Sequence, residues 1–94
     1  MTQAGNSAAL KRILIVDDEP QIGEVLSAYL RQESFEPVVR ATVTSAVAEI
    51  EQHRPDMMIL DITLPDGSGL DILRRSAEGS RIPTIMLTAR SEEV

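Results

Sequence analysis

The chain has no Cys and no Trp, one Tyr, one Phe and a single Lys, Lys11. Lack of Cys excludes a disulfide framework and a thiolate metal site, and suits a reducing cytosol. Lack of aromatic rings leaves the core to aliphatic side chains. Cationic residues are also few: nine Lys and Arg face fifteen Asp and Glu, for a net charge of −6. So acidic a chain is poorly suited to gripping nucleic acid, which needs clustered Lys and Arg along the phosphates. No apolar run approaches the roughly 20 residues that cross a bilayer, so no membrane partner is expected. Residues 1–10 lack the charged start and apolar stretch of a secretion signal and read as a disordered lead-in. Residues 11–94 then form one small domain with a thin stability margin, and a cytoplasmic location is the expectation.

What the chain does have is a series of short apolar runs, each cut off abruptly. Ile13-Leu14-Ile15-Val16 is apolar without alternation, which predicts a strand buried on both faces of a parallel sheet. Asp17-Asp18-Glu19-Pro20 ends it and opens a helix over about 20–32, in which Ile22, Val25, Leu26, Tyr29 and Leu30 recur at helical spacing. Glu36–Arg40 reads as a second strand. Thr42 or Thr44 can cap a second helix, with Val43, Ala46, Val47 and Ile50 inside. Met57-Met58-Ile59-Leu60 is a third strand, stopped by Asp61, and Leu64 to Gly69 is a turn-rich loop. Leu70, Ile72 and Leu73 start a third helix, which Gly79 is expected to end. Pro83 opens a last strand, Thr84–Leu87. The order βαβαβαβ predicts a three-layer parallel α/β sheet.

Asp17-Asp18, Asp61 and Thr88 each follow an apolar run, so all emerge at the carboxyl edge of the sheet, where open parallel sheets bind ligands. Each has a plain reading alone: a charge cluster at a helix start, a loop cap, a β-favouring residue. Together they put three carboxylates in a small space, an arrangement that calls for a cation. A hard divalent ion such as Mg2+ takes oxygen ligands of this kind. A carboxylate facing such an ion is a nucleophile toward a phosphoryl group, and a Thr88 hydroxyl can bind one of its oxygens. His53 reads as solvated, Met57 and Met58 as core filling, and Arg74-Arg75 as the wet face of the third helix.

Three stretches carry a resemblance. Ile13–Glu19, then Pro55–Gly69 with Asp61 at its centre, then Pro83–Arg90 resemble, in order, the signatures of a bacterial two-component response-regulator receiver domain. The resemblance covers roughly Lys11 to Val94. It implies a flavodoxin-like fold with strand order 2-1-3-4-5, and a regulatory domain rather than a turnover enzyme. It implies Asp61 as the phosphoacceptor served by a sensor histidine kinase, Asp18 as direct Mg2+ ligand, and Asp17 as a helper through water. By the same resemblance, the carbonyl of Thr63 completes the metal shell, while the Thr88 hydroxyl and the Ala89 amide reach the phosphoryl group. Pro65 and Gly69 match the loop that shapes the site. Thr88-Ala89-Arg90-Ser91-Glu92-Glu93 resembles receivers attached to winged-helix transcription factors.

Receivers usually run to roughly 120 residues, with a further strand bearing a Lys-Pro pair. No Lys stands at that place here, so the expectation is a receiver truncated before its fifth strand, with DNA reached only through a missing output domain. An uncovered fourth strand would invite a homodimer through the sheet edge. Two rival readings stand beside the phosphoacceptor. An aspartyl-nucleophile phosphatase would want an acid two residues past Asp61, where Thr63 stands. An inert interaction fragment would leave Asp61 unmodified.

Overall fold

A computed structural model of the chain describes residues 10–87. The expected lead-in, apart from Leu10, lies outside the described residues, as do Thr88 and Ala89.

The elements run β1 (Arg12–Val16), α1 (Pro20–Gln32), β2 (Glu36–Arg40), α2 (Val43–Gln52), β3 (Met57–Asp61), β4 (Thr63–Leu64), β5 (Gly67–Ser68), α3 (Gly69–Arg75), a 3-10 turn (Gly79–Arg81) and β6 (Thr84–Leu87). Four strands form a parallel sheet in the order β2-β1-β3-β6. From β1 the chain steps out to β2, then returns past β1 to β3. The switch in strand order therefore falls between β1 and β3.

Successive side chains of a strand point to opposite faces, and both faces are covered here. Leu14, Val16, Met58 and Leu60 pack on one face with Val43, Ala46 and Ile50 of α2 and Ile72 of α3. Ile13, Ile15 and Ile59 pack on the other with Leu26 and Leu30 of α1 and with Phe35 and Leu87. The unbroken apolar runs of β1 and β3 thus reflect two cores, one on either side of a single sheet. The expected three layers are present, and the core is aliphatic.

Local signals explain the helix starts. Pro20 holds the first position of α1, where its missing N–H costs nothing. Thr42 caps α2 through a reciprocal box with Ser45, and Ser68 with Asp71 does the same for α3.

Three details differ from the sequence expectation. First, Ile22, Val25 and Tyr29 lie on the outside of α1, and its buried face is Gly23, Ser27 and Leu30. Small residues win the inner face because α1 sits close to β2: a Cβ on Gly23 would stand 3.0 Å from Cγ1 of Val39. Second, Gly79 does not end the third helix. The helix stops at Arg75, the Ser76 amide bonds to the Ile72 carbonyl, and the buried Ser76 hydroxyl accepts the Gly79 amide at 2.9 Å. Third, the loop after Asp61 contains a small antiparallel ribbon, β4 against β5, turning at Pro65-Asp66. Gly67 has φ +152°, and a Cβ there would come within 2.6 Å of the Asp71 carboxylate.

Candidate functional site

β1 and β3 deliver the acids. Asp17 follows the last residue of β1, and its amide bonds to the Arg40 carbonyl at 3.0 Å, which prolongs the strand pairing by one step. Asp61 is the last residue of β3. Ligand oxygens of Asp17, Asp18 and Asp61 all lie within 4.8 Å of one another. Asp17 and Asp61 are buried, at 7% and 8% exposure, while Asp18 is open to solvent. The site is thus a half-enclosed carboxylate cluster at the switch in strand order.

Backbone donors orient two of these acids. Asp17 accepts the Glu19 amide on Oδ1 at 2.9 Å, and Asp61 accepts the Thr63 amide on Oδ1 at 3.3 Å. Thr63 itself is exposed, at the start of the ribbon. Burial pushes the Asp17 carboxyl above the usual range; the Glu19 amide opposes that shift, and the charges of Asp61, Asp18 and Glu19 reinforce it. Mutual repulsion among partly dry carboxylates is relieved by a multivalent cation. An all-oxygen donor set suits Mg2+, Ca2+ or Mn2+ and not a soft metal. The residues present therefore fit a hard divalent ion.

Gly69 sets the distance between the ribbon and the end of β3. A Cβ there would stand 2.2 Å from the backbone oxygen of Asp61, so α3 can start against Asp61 only with Gly at this position. Its amide also bonds to the Ile62 carbonyl at 2.9 Å. Pro65 is exposed at the ribbon turn.

The expected residues Asp17, Asp18 and Asp61 are brought together, with Thr63 alongside. Two further carboxylates carry structure that the sequence pattern does not announce. Asp66, in the ribbon turn, accepts the Val43 amide at 2.7 Å and the Thr44 amide at 3.1 Å, at the start of α2. Glu49 is buried on α2, bound to Arg12 at 3.0 Å and Arg40 at 2.8 Å. His53, expected to be solvated, is exposed but turns Nδ1 to within 3.5 Å of the Glu49 carboxylate. The one signal for Asp66 is that the first turn of α2 has no acid of its own. Glu49 has the weaker signal of a charge on a mostly apolar helix face. Met58 is fully buried and Met57 partly so, as expected of core filling. Arg74 pairs with Asp71 on the wet face of α3.

Comparison with known proteins identifies the family. The DNA-binding response regulator MtrA of Mycolicibacterium smegmatis is 38% identical over 84 residues, which are 89% of this chain and 37% of that protein. The phosphate regulon transcriptional regulatory protein PhoB of Klebsiella pneumoniae is 44% identical over 86 residues, 88% of this chain and 38% of that protein. The chain thus spans less than two fifths of the length of these relatives. Among solved structures, the response regulator TrrA of Thermotoga maritima, in complex with Mg2+ and BeF, superposes with a TM-score of 0.78 at 36% identity. The match covers 87% of this chain and 72% of that one. Residues 13–94 match the family described as the response regulator receiver domain, and the chain belongs to it.

Proposed function

We propose that this chain is the phosphoacceptor unit of a two-component system, and that Asp61 receives the phosphoryl group from a histidine of a sensor kinase. The observation that carries the proposal is the buried Asp61 carboxylate at the end of β3, clustered with Asp17 and Asp18 at the sheet's switch point. The Thr63 amide steers Oδ1 of Asp61, which leaves Oδ2 to attack phosphorus. The new Oδ–P bond forms as the N–P bond of the phosphohistidine breaks, and the imidazole nitrogen keeps the electron pair. Asp18 directly, Asp17 through water, Asp61 and the Thr63 carbonyl would hold Mg2+, which when bound offsets the charge on the transferring group. The Mg2+ complex of TrrA supports that choice of ion. Thr88 and Ala89 take the phosphoryl oxygens in this reading; both lie outside the described residues.

The output is transcription through a DNA-binding domain, as the naming of MtrA and PhoB supports. Residues 11–94 are the receiver, and its working place is the cytoplasm; among the described residues no helix is long and apolar enough to cross a membrane. The domain assists its own phosphorylation and dephosphorylation without turning over a separate substrate.

Incubation with Mg2+ and a small phosphodonor tests the proposal. The intact chain gains the mass of one phosphoryl group, and Asp61→Asn does not. Equal gain by the Asp61→Asn chain would overturn it.

A further inference from the structure

We infer that Asp66 is a positioning residue for this site: its carboxylate fastens the β4–β5 ribbon to the start of α2, and so holds the Thr63 backbone against Asp61. The inference rests on the proposed reading of Thr63 as part of the metal shell.

α2 starts without an acid in its first turn, although the positive end of a helix favours one. Thr42 takes the Ser45 amide, which leaves the amides of Val43 and Thr44 to find acceptors elsewhere. Asp66 supplies both. Oδ1 accepts the Val43 amide at 2.7 Å; Oδ2 accepts the Thr44 amide and the Thr44 hydroxyl, each at 3.1 Å. These partners lie 23 and 22 residues away in sequence, so the contact is a tertiary clasp and not a local turn. The Val43 amide chiefly, opposed by desolvation and helped by the Thr44 amide and hydroxyl, holds the Asp66 carboxyl below the usual range. It is therefore ionised at neutral pH.

The ribbon needs such a clasp. Its strands are two residues each, pairing Thr63 with Ser68 and Leu64 with Gly67. A ladder that short is not stable alone. β5 is tied to α3 by the Ser68–Asp71 box, and the Gly69 amide closes on the Ile62 carbonyl. β4 and the turn are held by buried Leu64 in the core and by Asp66 on α2. Thr63 stands just before Leu64, with its amide on Oδ1 of Asp61. Releasing the Asp66 anchor frees the Pro65-Asp66 turn and leaves β4 held to the core by Leu64 alone. That displaces the amide and carbonyl of Thr63 relative to Asp61, while Asp17 and Asp18 keep their places after β1. Groups that orient metal ligands from behind are worth about 10–100-fold in affinity, although they never touch the ion.

The alternative is that Asp66 merely caps a helix, and Thr42 provides the control. Its side-chain hydrogen bonds stay within the first turn of α2, so Thr42→Ala weakens the same helix end without touching the ribbon. Mg2+ titrations of wild type, Asp66→Ala, Asp66→Asn and Thr42→Ala, followed by amide resonances, separate the two roles, with melting temperatures recorded without Mg2+. Asp66→Ala is expected to weaken Mg2+ binding about tenfold and to shift the Thr63 amide before any metal is added. Asp66→Asn keeps an acceptor and recovers part of the loss. Thr42→Ala melts earlier and binds Mg2+ as wild type does. Unchanged affinity in Asp66→Ala, or an equal loss in Thr42→Ala, overturns the inference and leaves the metal site standing. A wild type that binds no Mg2+ overturns both. If Asp66→Ala does not fold, Asp66→Asn takes its place: weaker Mg2+ binding than in Thr42→Ala supports the inference, and equal binding overturns it.

Discussion

Asp17 and Asp61 close adjacent parallel strands, and their carboxylates lie within 4.8 Å of each other although both residues are more than nine-tenths buried. Two like charges so placed destabilise the folded chain unless a cation joins them. Asp17→Asn is therefore expected to raise the melting temperature measured in a chelator. The amide keeps an oxygen for the Glu19 N–H while removing one charge from the cluster. Wild type gains stability as Mg2+ is added, and the variant gains much less. Parallel Mg2+ responses in the two chains would contradict the account.

Gly69→Ala tests the close approach at the other side of Asp61. With a Cβ placed 2.2 Å from the Asp61 carbonyl, either α3 or the end of β3 must move. Overpacking of this sort costs about 1–3 kcal/mol. Phosphorylation of Asp61 should slow even at temperatures where the variant is fully folded. Urea denaturation together with the initial rate from a small phosphodonor checks both effects.

Glu49 predicts a pH dependence. Burial pushes its carboxyl up, but the Arg12 hydrogen bond and the charges of Arg40 and His53 outweigh burial and hold it below 4.5. A depressed folded-state pKa adds stability that is present above the unfolded value and lost as pH falls through the folded one. Arg40 is 39% exposed, so its share is screened by solvent. Glu49→Gln should cost about 2 kcal/mol at neutral pH, chiefly through charge-assisted hydrogen bonds. The gap between wild type and variant closes as pH falls below 4.5. Urea midpoints across that range check this, and a gap independent of pH would contradict it.

Leu14 is fully buried at the centre of β1, in the core shared with α2 and α3. Leu14→Ala is expected to cost about 3 kcal/mol. Thr42→Ala, which removes a helix cap on the surface, should cost about 1 kcal/mol. Chemical denaturation ranks the two, and a reversed order would contradict the burial on which the fold rests.

The larger elements were legible because their physics is local and periodic. β1 and β3 are apolar runs stopped by acids, and α1 was expected over the residues it occupies. Asp17, Asp18 and Asp61 could be placed together because parallel strands send their carboxyl ends to one edge. Less legible was whatever depends on contacts far apart in sequence. The inner face of α1 went to small residues, and at Gly23 the reason is Val39 of β2 standing against it, a fact that hydrophobic periodicity does not carry. A ribbon with two residues per strand is too short to show alternation. Asp66 and Glu49 find partners 23 and 37 residues away, where spacing gives no warning. Gly79 looked like a helix stop, but the Ser76 hydroxyl had already captured its amide.

The central claim is that the phosphoryl group resides on Asp61 itself. The most direct measurement treats the chain with Mg2+ and a small phosphodonor, reduces the acyl phosphate with borohydride, and locates the product by peptide fragmentation. An acyl phosphate on Asp61 is converted to homoserine at position 61, which is the result expected. Homoserine at 17 or 18, or none at 61 despite a gain of phosphoryl mass, would contradict the account.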